Sequence, residues 1–152
     1  MNKSAKYKAV NLQLSGLMDR DVHWIANAAN FCSLFADHFD FFWIGFYYKI
    51  DPSYLELGPF QGPAACTKIH KGKGVCGHVW QEGKAQIVPN VHRFPGHIAC
   101  NEESKSEIVL PVFSNKKFWG VLDVDSQYFS YFDNEDLVGL QKALATFEKI
   151  LS

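Results

Sequence analysis

A chain of 152 residues, 47% apolar and 15% aromatic, is long enough to form its own hydrophobic core without disulfide or metal staples. Its 15 basic and 16 acidic residues give a formal net charge of −1, which makes nucleic acid a poor partner. No apolar run approaches the roughly 20 residues that cross a bilayer, and the first ten residues lack the apolar stretch of a secretory signal. We therefore expect one cytoplasmic domain over residues 1–152, with no membrane contact.

Two helices are predicted at the start of the chain. Asp21 can cap the second, because an aspartate side chain accepts hydrogen bonds from free N–H groups of a first helical turn. The apolar residues that follow at helical spacing are Val22, Ile25, Ala29 and Cys32. This spacing places Cys32 on the packed face, where a free cysteine behaves as a small buried hydrophobe.

Strand-forming residues and turn signals alternate in the middle of the chain. They predict strands over residues 41–48, 54–57, 66–69 and 86–88. Gly72 and Gly74 interrupt this pattern before a short helix over 75–82, which Gly83 ends.

The segment 89–104 has weak periodicity and is predicted to be a long surface loop, a feature that is usually functional in a compact domain. Two strands follow, over 107–113 and 118–125, around a turn at 114–116. Asp133 then caps a last helix, whose apolar stripe suits a core or a dimer contact: Leu137, Leu140, Leu144, Phe147 and Leu151. This order of elements indicates an α+β sheet domain.

Three of the four cysteines lie in the loop-rich middle of the chain, at Cys66, Cys76 and Cys100. Cys76 is in the first turn of the short helix, where the helix dipole favours a thiolate. His97 is close to Cys100 in sequence and would lower its pKa if the loop folds back. The three thiols could meet around one pocket, but their spacing alone does not establish this.

Three carboxylates stand in otherwise apolar strands, at Glu107, Asp123 and Asp125. The alternation of the two aspartates with Leu122 and Val124 places both on one face of the sheet. They either form a solvated strand end or face a cavity. In a cavity, crowding of like charges would raise at least one pKa and provide a proton donor.

A metal site is a weaker alternative, which would make the chain a zinc-stabilised interaction domain. The potential ligands are Cys66, His70, Cys76, His78, His92, His97 and Cys100. The close ligand pairs of structural zinc sites are missing from the sequence, so we predict no metal.

Several motifs together resemble the free methionine-R-sulfoxide reductases, a family of GAF-domain proteins. They are GPFQGPAAC at 58–66, GKGVCG at 72–77, VPNVH at 88–92, FPGHIAC at 94–100, SEI at 106–108 and GVLDVDS at 120–126. The likeness extends from about residue 27 to residue 147, and the three cysteines make it specific. Asn90 departs from the pattern, in which aspartate is as frequent.

The resemblance implies a GAF fold with a six-stranded antiparallel sheet, a homodimer and a closed pocket over the sheet. It assigns Cys100 as the nucleophile, Cys66 as the resolving thiol and Cys76 as a third redox-active or supporting thiol. Whether Cys66 or Cys76 resolves stays open. Trp43 and Tyr47 would form the pocket walls. Its polar floor would consist of Glu107, Asp123 and Asp125.

The activity implied is reduction of free L-methionine-R-sulfoxide through a cysteine sulfenic acid and an intramolecular disulfide, with thioredoxin as the reductant and no cofactor. The alternative is a GAF module without catalysis, which binds a small ligand or senses redox state through the same thiols.

Overall fold

A computed structural model describes residues 1–98 and 100–152; Ala99, in the predicted loop, lies outside the described residues. The helices are α1 (Lys3–Leu17), α2 (Trp24–His38), α3 (Gly74–Glu82) and α4 (Asn134–Leu151). The strands are β1 (Trp43–Lys49), β2 (Tyr54–Gln61), β3 (Lys68–His70), β4 (Gln86–Val88), β5 (Ser106–Ser114) and β6 (Lys117–Ser126). None of the helices in the described chain is both long and apolar enough to cross a membrane.

The strands form one antiparallel sheet in the order β3-β2-β1-β6-β5-β4, which confirms the predicted α+β class and the six-stranded sheet. β5 and β6 are joined by a tight turn in which Asn115 and Lys116 have φ values of 52° and 64°. Two consecutive positive φ values are typical of the type I′ hairpin turn, which matches the twist of the flanking strands. The turn predicted at 114–116 is therefore confirmed.

One face of the sheet packs against α2 and α4, and α1 packs against these two helices. The side chains of Ile44, Phe46, Leu122 and Val124 point to this side, where they meet Phe31 and other aromatic residues of the helices. The apolar stripe of α4 lies largely in this core, with Leu140, Leu144 and Phe147 buried. Asp133 caps α4 as predicted, by accepting hydrogen bonds from the backbone N–H groups of Glu135 and Asp136.

The opposite face is covered by α3 and by the loop between β4 and β5. Its apolar part includes Val75, Val79 and Trp80 from the helix and Val109 and Val121 from the strands. Because side chains alternate along a strand, each central strand contributes to both faces.

The prediction for the start of α2 was wrong. His23, not Asp21, is the N-cap residue, and its ring accepts a hydrogen bond from the N–H of Ile25. Val22 therefore precedes the helix, and it is exposed, as are Ile25 and Ala29 within the helix. The buried face consists of Asn27, Ala28, Phe31, Cys32 and Phe35. Cys32 is buried as predicted, although most of the predicted stripe is not.

Other differences from prediction lie in the middle of the chain. β2 continues to Gln61 instead of ending at residue 57, and β3 begins at Lys68, so that Cys66 precedes the strand rather than opening it. The loop after β4 contains a short 3₁₀ helix (Val91–Arg93). Its N-cap is Asn90, whose side chain accepts a hydrogen bond from the N–H of His92.

Candidate active site

The register of the central strands brings the three predicted carboxylates together. Glu107 pairs with Asp125 across β5 and β6, and Asp125 and Asp123 in turn lie opposite Trp43 and Gly45 of β1. All of these positions face α3 rather than the aromatic core. Gly45 is needed here, because a Cβ atom at this position would collide with the Trp43 ring.

A pocket opens above this group, and its lining contains nearly every residue that the sequence nominated. The lining includes Trp43, Tyr47, Cys76, His97, Cys100, Glu107, Asp123 and Asp125. Asp123 is only 7% exposed and Glu107 only 6%, whereas Asp125 is half-buried. The carboxylates therefore face a cavity and do not form a solvated strand end.

Burial changes the acidity of all three carboxyl groups. It is the largest cause that raises the pKa of Glu107 well above its usual range, and the negative charges of Asp123 and Asp125 raise it further. Burial likewise raises the pKa of Asp125 and that of Asp123. Hydrogen bonds from Glu107 and Cys76 partly oppose the effect at Asp123. Glu107 and Asp125 are thus the two groups whose pKa values are raised most clearly.

Asp123 and Asp125 differ in their remaining partners. The Ser104 hydroxyl donates a hydrogen bond of 3.1 Å to Oδ1 of Asp125. Oδ1 of Asp123 is buried and has no hydrogen-bond partner among the described residues. Buried polar atoms in proteins are rarely left without a partner, so this oxygen is available to a ligand. Sequence reasoning missed Ser104, because a serine at the end of a polar loop gives no distinguishing signal.

The aromatic walls are fixed by stacking and by hydrogen bonds to the backbone. The ring centroids of Trp43 and Tyr47 lie 5.9 Å apart, and the interplanar angle is 24°. The Trp43 indole N–H donates to the carbonyl of Pro63 at 3.0 Å. The Tyr47 hydroxyl donates to the carbonyl of Cys66 at 2.9 Å. Both walls therefore also hold the segment that carries Cys66.

Cys66 and Cys100 form a disulfide across 34 residues of sequence, with their Cα atoms 5.4 Å apart. The bond ties the segment between β2 and β3 to the loop before β5. Cys100 is exposed, while Cys66 is half-buried. The thiol that the resemblance names as the nucleophile is therefore adjacent to the one that it names as the resolving partner.

Cys76 lies in the first turn of α3 as predicted, but the predicted thiolate was wrong. Burial raises the pKa of this thiol well above its usual value, and the nearby Asp123, Glu107 and Asp125 raise it further. The dipole of a helix of nine residues does not compensate for full burial beside three acidic groups. Cys76 is instead a free, protonated thiol.

The histidines make smaller contributions than the sequence indicated. His97 lines the pocket, but burial lowers its pKa, with a further contribution from His92. A neutral imidazole does not supply the positive charge expected beside Cys100. Within the described ranges, 1–98 and 100–152, the one group of three potential metal ligands close together is Cys76, Glu107 and Asp123, within 4.8 Å of one another. It contains no histidine.

Residues 20–149 match the family model of the GAF domain. GAF domain-containing protein A of Dictyostelium discoideum is 47% identical over 150 residues, which cover 99% of this chain and 92% of that protein. The free methionine-R-sulfoxide reductase of Escherichia coli (strain K12) is 42% identical over 153 residues, 100% of this chain and 92% of that protein. The structure of the free methionine-R-sulfoxide reductase from Neisseria meningitidis in complex with its substrate matches with a TM-score of 0.94 and 40% identity, over 99% of this chain and 91% of that one. These likenesses confirm the resemblance seen in the motifs, and the chain belongs to the free methionine-R-sulfoxide reductase family of GAF-domain proteins.

Proposed function

We propose that the protein reduces free L-methionine-R-sulfoxide to L-methionine, with Cys100 as the nucleophile. One observation carries the proposal: Cys100 lines the same pocket as the carboxyl groups of Glu107, Asp123 and Asp125 and is within disulfide distance of Cys66. The reductases of Escherichia coli and Neisseria meningitidis, which resemble this chain over nearly their full length, support the same substrate.

The carboxyl cluster suits the first chemical requirement of the reaction. A sulfoxide is polarised S⁺–O⁻, and its sulfur accepts a thiolate only when the oxygen is protonated or strongly hydrogen-bonded. Glu107 and Asp125 have raised pKa values, chiefly because they are buried, so one of them can hold a proton at neutral pH. A positioned acid of this kind typically contributes about 10²- to 10⁴-fold to a rate.

The thiols suit the remaining steps. Cys100 attacks the sulfur and takes the oxygen, which leaves a sulfenic acid and releases methionine. The Cys66 thiol then condenses with the sulfenic acid, releases water and forms the disulfide. A dithiol protein such as thioredoxin reduces that disulfide by exchange and becomes oxidised itself. Two electrons thus pass from the dithiol to the sulfoxide.

The pocket also offers groups for a free amino acid. The Trp43 ring is suited to the S-methyl and methylene groups. The unpartnered Oδ1 of Asp123 can accept a hydrogen bond from the α-ammonium group. The N-cap residue of α3, Lys73, provides no side-chain cap, so first-turn N–H groups remain for the α-carboxylate. Because a methionine residue inside a peptide chain has amides in place of both charged groups, this arrangement favours the free amino acid.

The assay that tests the proposal follows NADPH oxidation with thioredoxin, thioredoxin reductase and free L-methionine-R-sulfoxide. Wild type should turn over, and Cys100→Ser should lose activity even with a strong chemical dithiol. Cys32→Ala is the matched control, since Cys32 is a free cysteine on the opposite face of the sheet, and it should keep activity in proportion to its folded fraction. Turnover by Cys100→Ser would place the nucleophile elsewhere.

A second variant separates reduction from recycling. Cys66→Ser should release close to one methionine per enzyme in a single turnover and then cycle slowly with thioredoxin. Normal cycling would instead assign the resolving role to Cys76. If wild type binds the sulfoxide without reducing it, the chain is the ligand-binding or redox-sensing module of the alternative hypothesis.

We also propose that the protein assembles as a homodimer. Leu12 of α1 and Val138 of α4 are exposed and line one surface groove, which a second copy could cover. Light scattering of the purified protein tests this, and a monomer at micromolar concentration would contradict it.

A further inference from the structure

We propose that Cys76 is a positioning residue and takes no part in electron transfer: its S–H group donates a hydrogen bond to Asp123 and holds that carboxylate as the anion that binds the substrate's cationic group. The inference rests on the proposed function, because it assigns a role within the same pocket.

The geometry places the thiol against the carboxylate. The sulfur of Cys76 and carboxylate oxygens of Asp123 and Glu107 all lie within 4.8 Å of one another. The thiol approaches from α3, while the two acids come from β6 and β5. Burial raises the pKa of Asp123, whereas its interaction with the Cys76 thiol lowers that pKa and so favours the charged form. The thiol is therefore placed as a donor toward the floor of the pocket.

The state of the thiol fits a donor better than a nucleophile. A cysteine attacks a sulfoxide or a disulfide as the thiolate, and thiolates form in electropositive, partly exposed surroundings. Cys76 is buried beside Asp123, Glu107 and Asp125, so its surroundings are electronegative. The Cys66–Cys100 bond, moreover, already pairs Cys100, the other cysteine of the pocket lining, with Cys66.

Asp123 is left with one oxygen for a ligand. Its Oδ1 has no hydrogen-bond partner in the described chain, although the residue is only 7% exposed. The titratable groups that interact with Asp123 are Glu107 from β5, Asp125 from β6, Cys76 from α3 and Tyr47 from β1. Lys73 and His97 also line the pocket, but within the described residues neither forms an ion pair with Asp123. A positive charge on the substrate would therefore be the natural partner for the free oxygen.

The test compares Cys76→Ala, which removes the donor, with Cys76→Ser, which replaces it with a hydroxyl group of similar size. Loss of one hydrogen bond to a charged group corresponds to a change of roughly 10- to 100-fold. We expect that increase in KM for Cys76→Ala, with a much smaller change in kcat. The acidic limb of its kcat/KM profile should shift to higher pH, because Asp123 without its donor ionises less readily. Cys76→Ser should have a KM and a pH profile close to those of wild type.

A redox role predicts a different result. In that case Cys76→Ser would be as impaired as Cys76→Ala, kcat would fall, and mass spectrometry after one turnover would show less Cys66–Cys100 disulfide. Any of these outcomes would overturn the inference, as would an unchanged KM and pH profile in Cys76→Ala. Thermal melting of both variants verifies that they are folded.

A double-mutant cycle with Asp123→Asn gives the sharpest measurement. If Cys76 acts through Asp123, the alanine substitution should raise KM in the wild-type background and have no further effect beside Asp123→Asn. Additive effects would contradict the coupling. An inactive wild type would refute the proposed function. If wild type is active, the inference on Cys76 is tested separately, by the changes in KM, kcat and pH profile of the variants relative to wild type.

Discussion

The two faces of the sheet are made from the same strands but have opposite character. On β6, Leu122 and Val124 enter an aromatic core below α1, α2 and α4, while Asp123 and Asp125 enter the pocket below α3. The first face is apolar and the second concentrates acidic groups and thiols. Because side chains alternate along the strand, neighbouring residues have different roles: one stabilises the core, and the next contributes to the chemistry of the pocket.

The difference between the two faces shows where this fold tolerates buried carboxyl groups. Burying a carboxyl group without a compensating charge costs free energy, and burial raises the pKa of all three acids in the pocket. The aromatic face has a large apolar area to offset that cost, with Phe31, Phe35, Phe46 and Phe147 fully buried. Substitutions on the two faces should therefore affect different quantities.

The largest effect is expected for Glu107→Gln on the pocket face. The amide cannot transfer a proton, so the rate of sulfoxide reduction in a single turnover should fall by about 10²- to 10⁴-fold. Rapid quench with free L-methionine-R-sulfoxide measures this step without interference from recycling. Asp125→Asn, tested in parallel, would identify the donor if it has the larger effect. Unchanged rates in both variants would show that neither group is the acid.

On the aromatic face, Phe46→Ala should reduce stability instead of chemistry. Phe46 is completely buried against Phe31, Phe147 and Trp119, and removal of such a ring typically costs about 3–5 kcal/mol. Urea unfolding measures the loss. The folded fraction should keep its activity per molecule, and a selective loss of turnover in fully folded protein would break the distinction between the faces.

The pocket face should also make stability depend on pH. Glu107 has a raised pKa in the folded protein, chiefly because it is buried, so folding favours its protonated form. Its contribution to stability is complete below its pKa in the unfolded chain, which is roughly 4. That contribution is lost as the pH rises through its pKa in the folded protein. Each proton retained in this way changes the free energy of unfolding by about 1.4 kcal/mol per pH unit.

Glu107→Gln should therefore be more stable than wild type at pH 8 and close to it at pH 4. Urea unfolding at both pH values measures the difference. Glu148 on α4, whose pKa is also raised by burial, titrates in wild type and variant alike and cancels in the comparison. A constant difference between the two proteins at both pH values would contradict this account.

Local sequence signals predicted the parts of the fold that depend on neighbouring residues. The cap at Asp133, the end of α3 at Gly83 and the turn at Asn115 and Lys116 all depend on side-chain or backbone preferences within a few positions. The start of α2 was missed because the signal at Asp21 competed with His23, and only tertiary packing decides which face is buried.

For the site as well, local patterns predicted which residues take part but not their chemical state. Alternation in β6 placed Asp123 and Asp125 on one face, and the motifs identified the three cysteines. The protonated state of Cys76 and the hydrogen bond from Ser104 to Asp125 depend on burial and on contacts between distant segments. Residue spacing contains no information on either.

The smallest effect is expected for Tyr47→Phe, which removes one hydroxyl group from the pocket wall. That hydroxyl donates to the Cys66 carbonyl at 2.9 Å, so its loss should cost about 0.5–1.5 kcal/mol, well below the cost at the neighbouring Phe46. Because the bond holds the segment that carries Cys66, disulfide formation after the first turnover should slow more than methionine release. Stopped-flow measurement of both steps tests this order, and equal slowing would show that Tyr47 acts on the substrate rather than on Cys66.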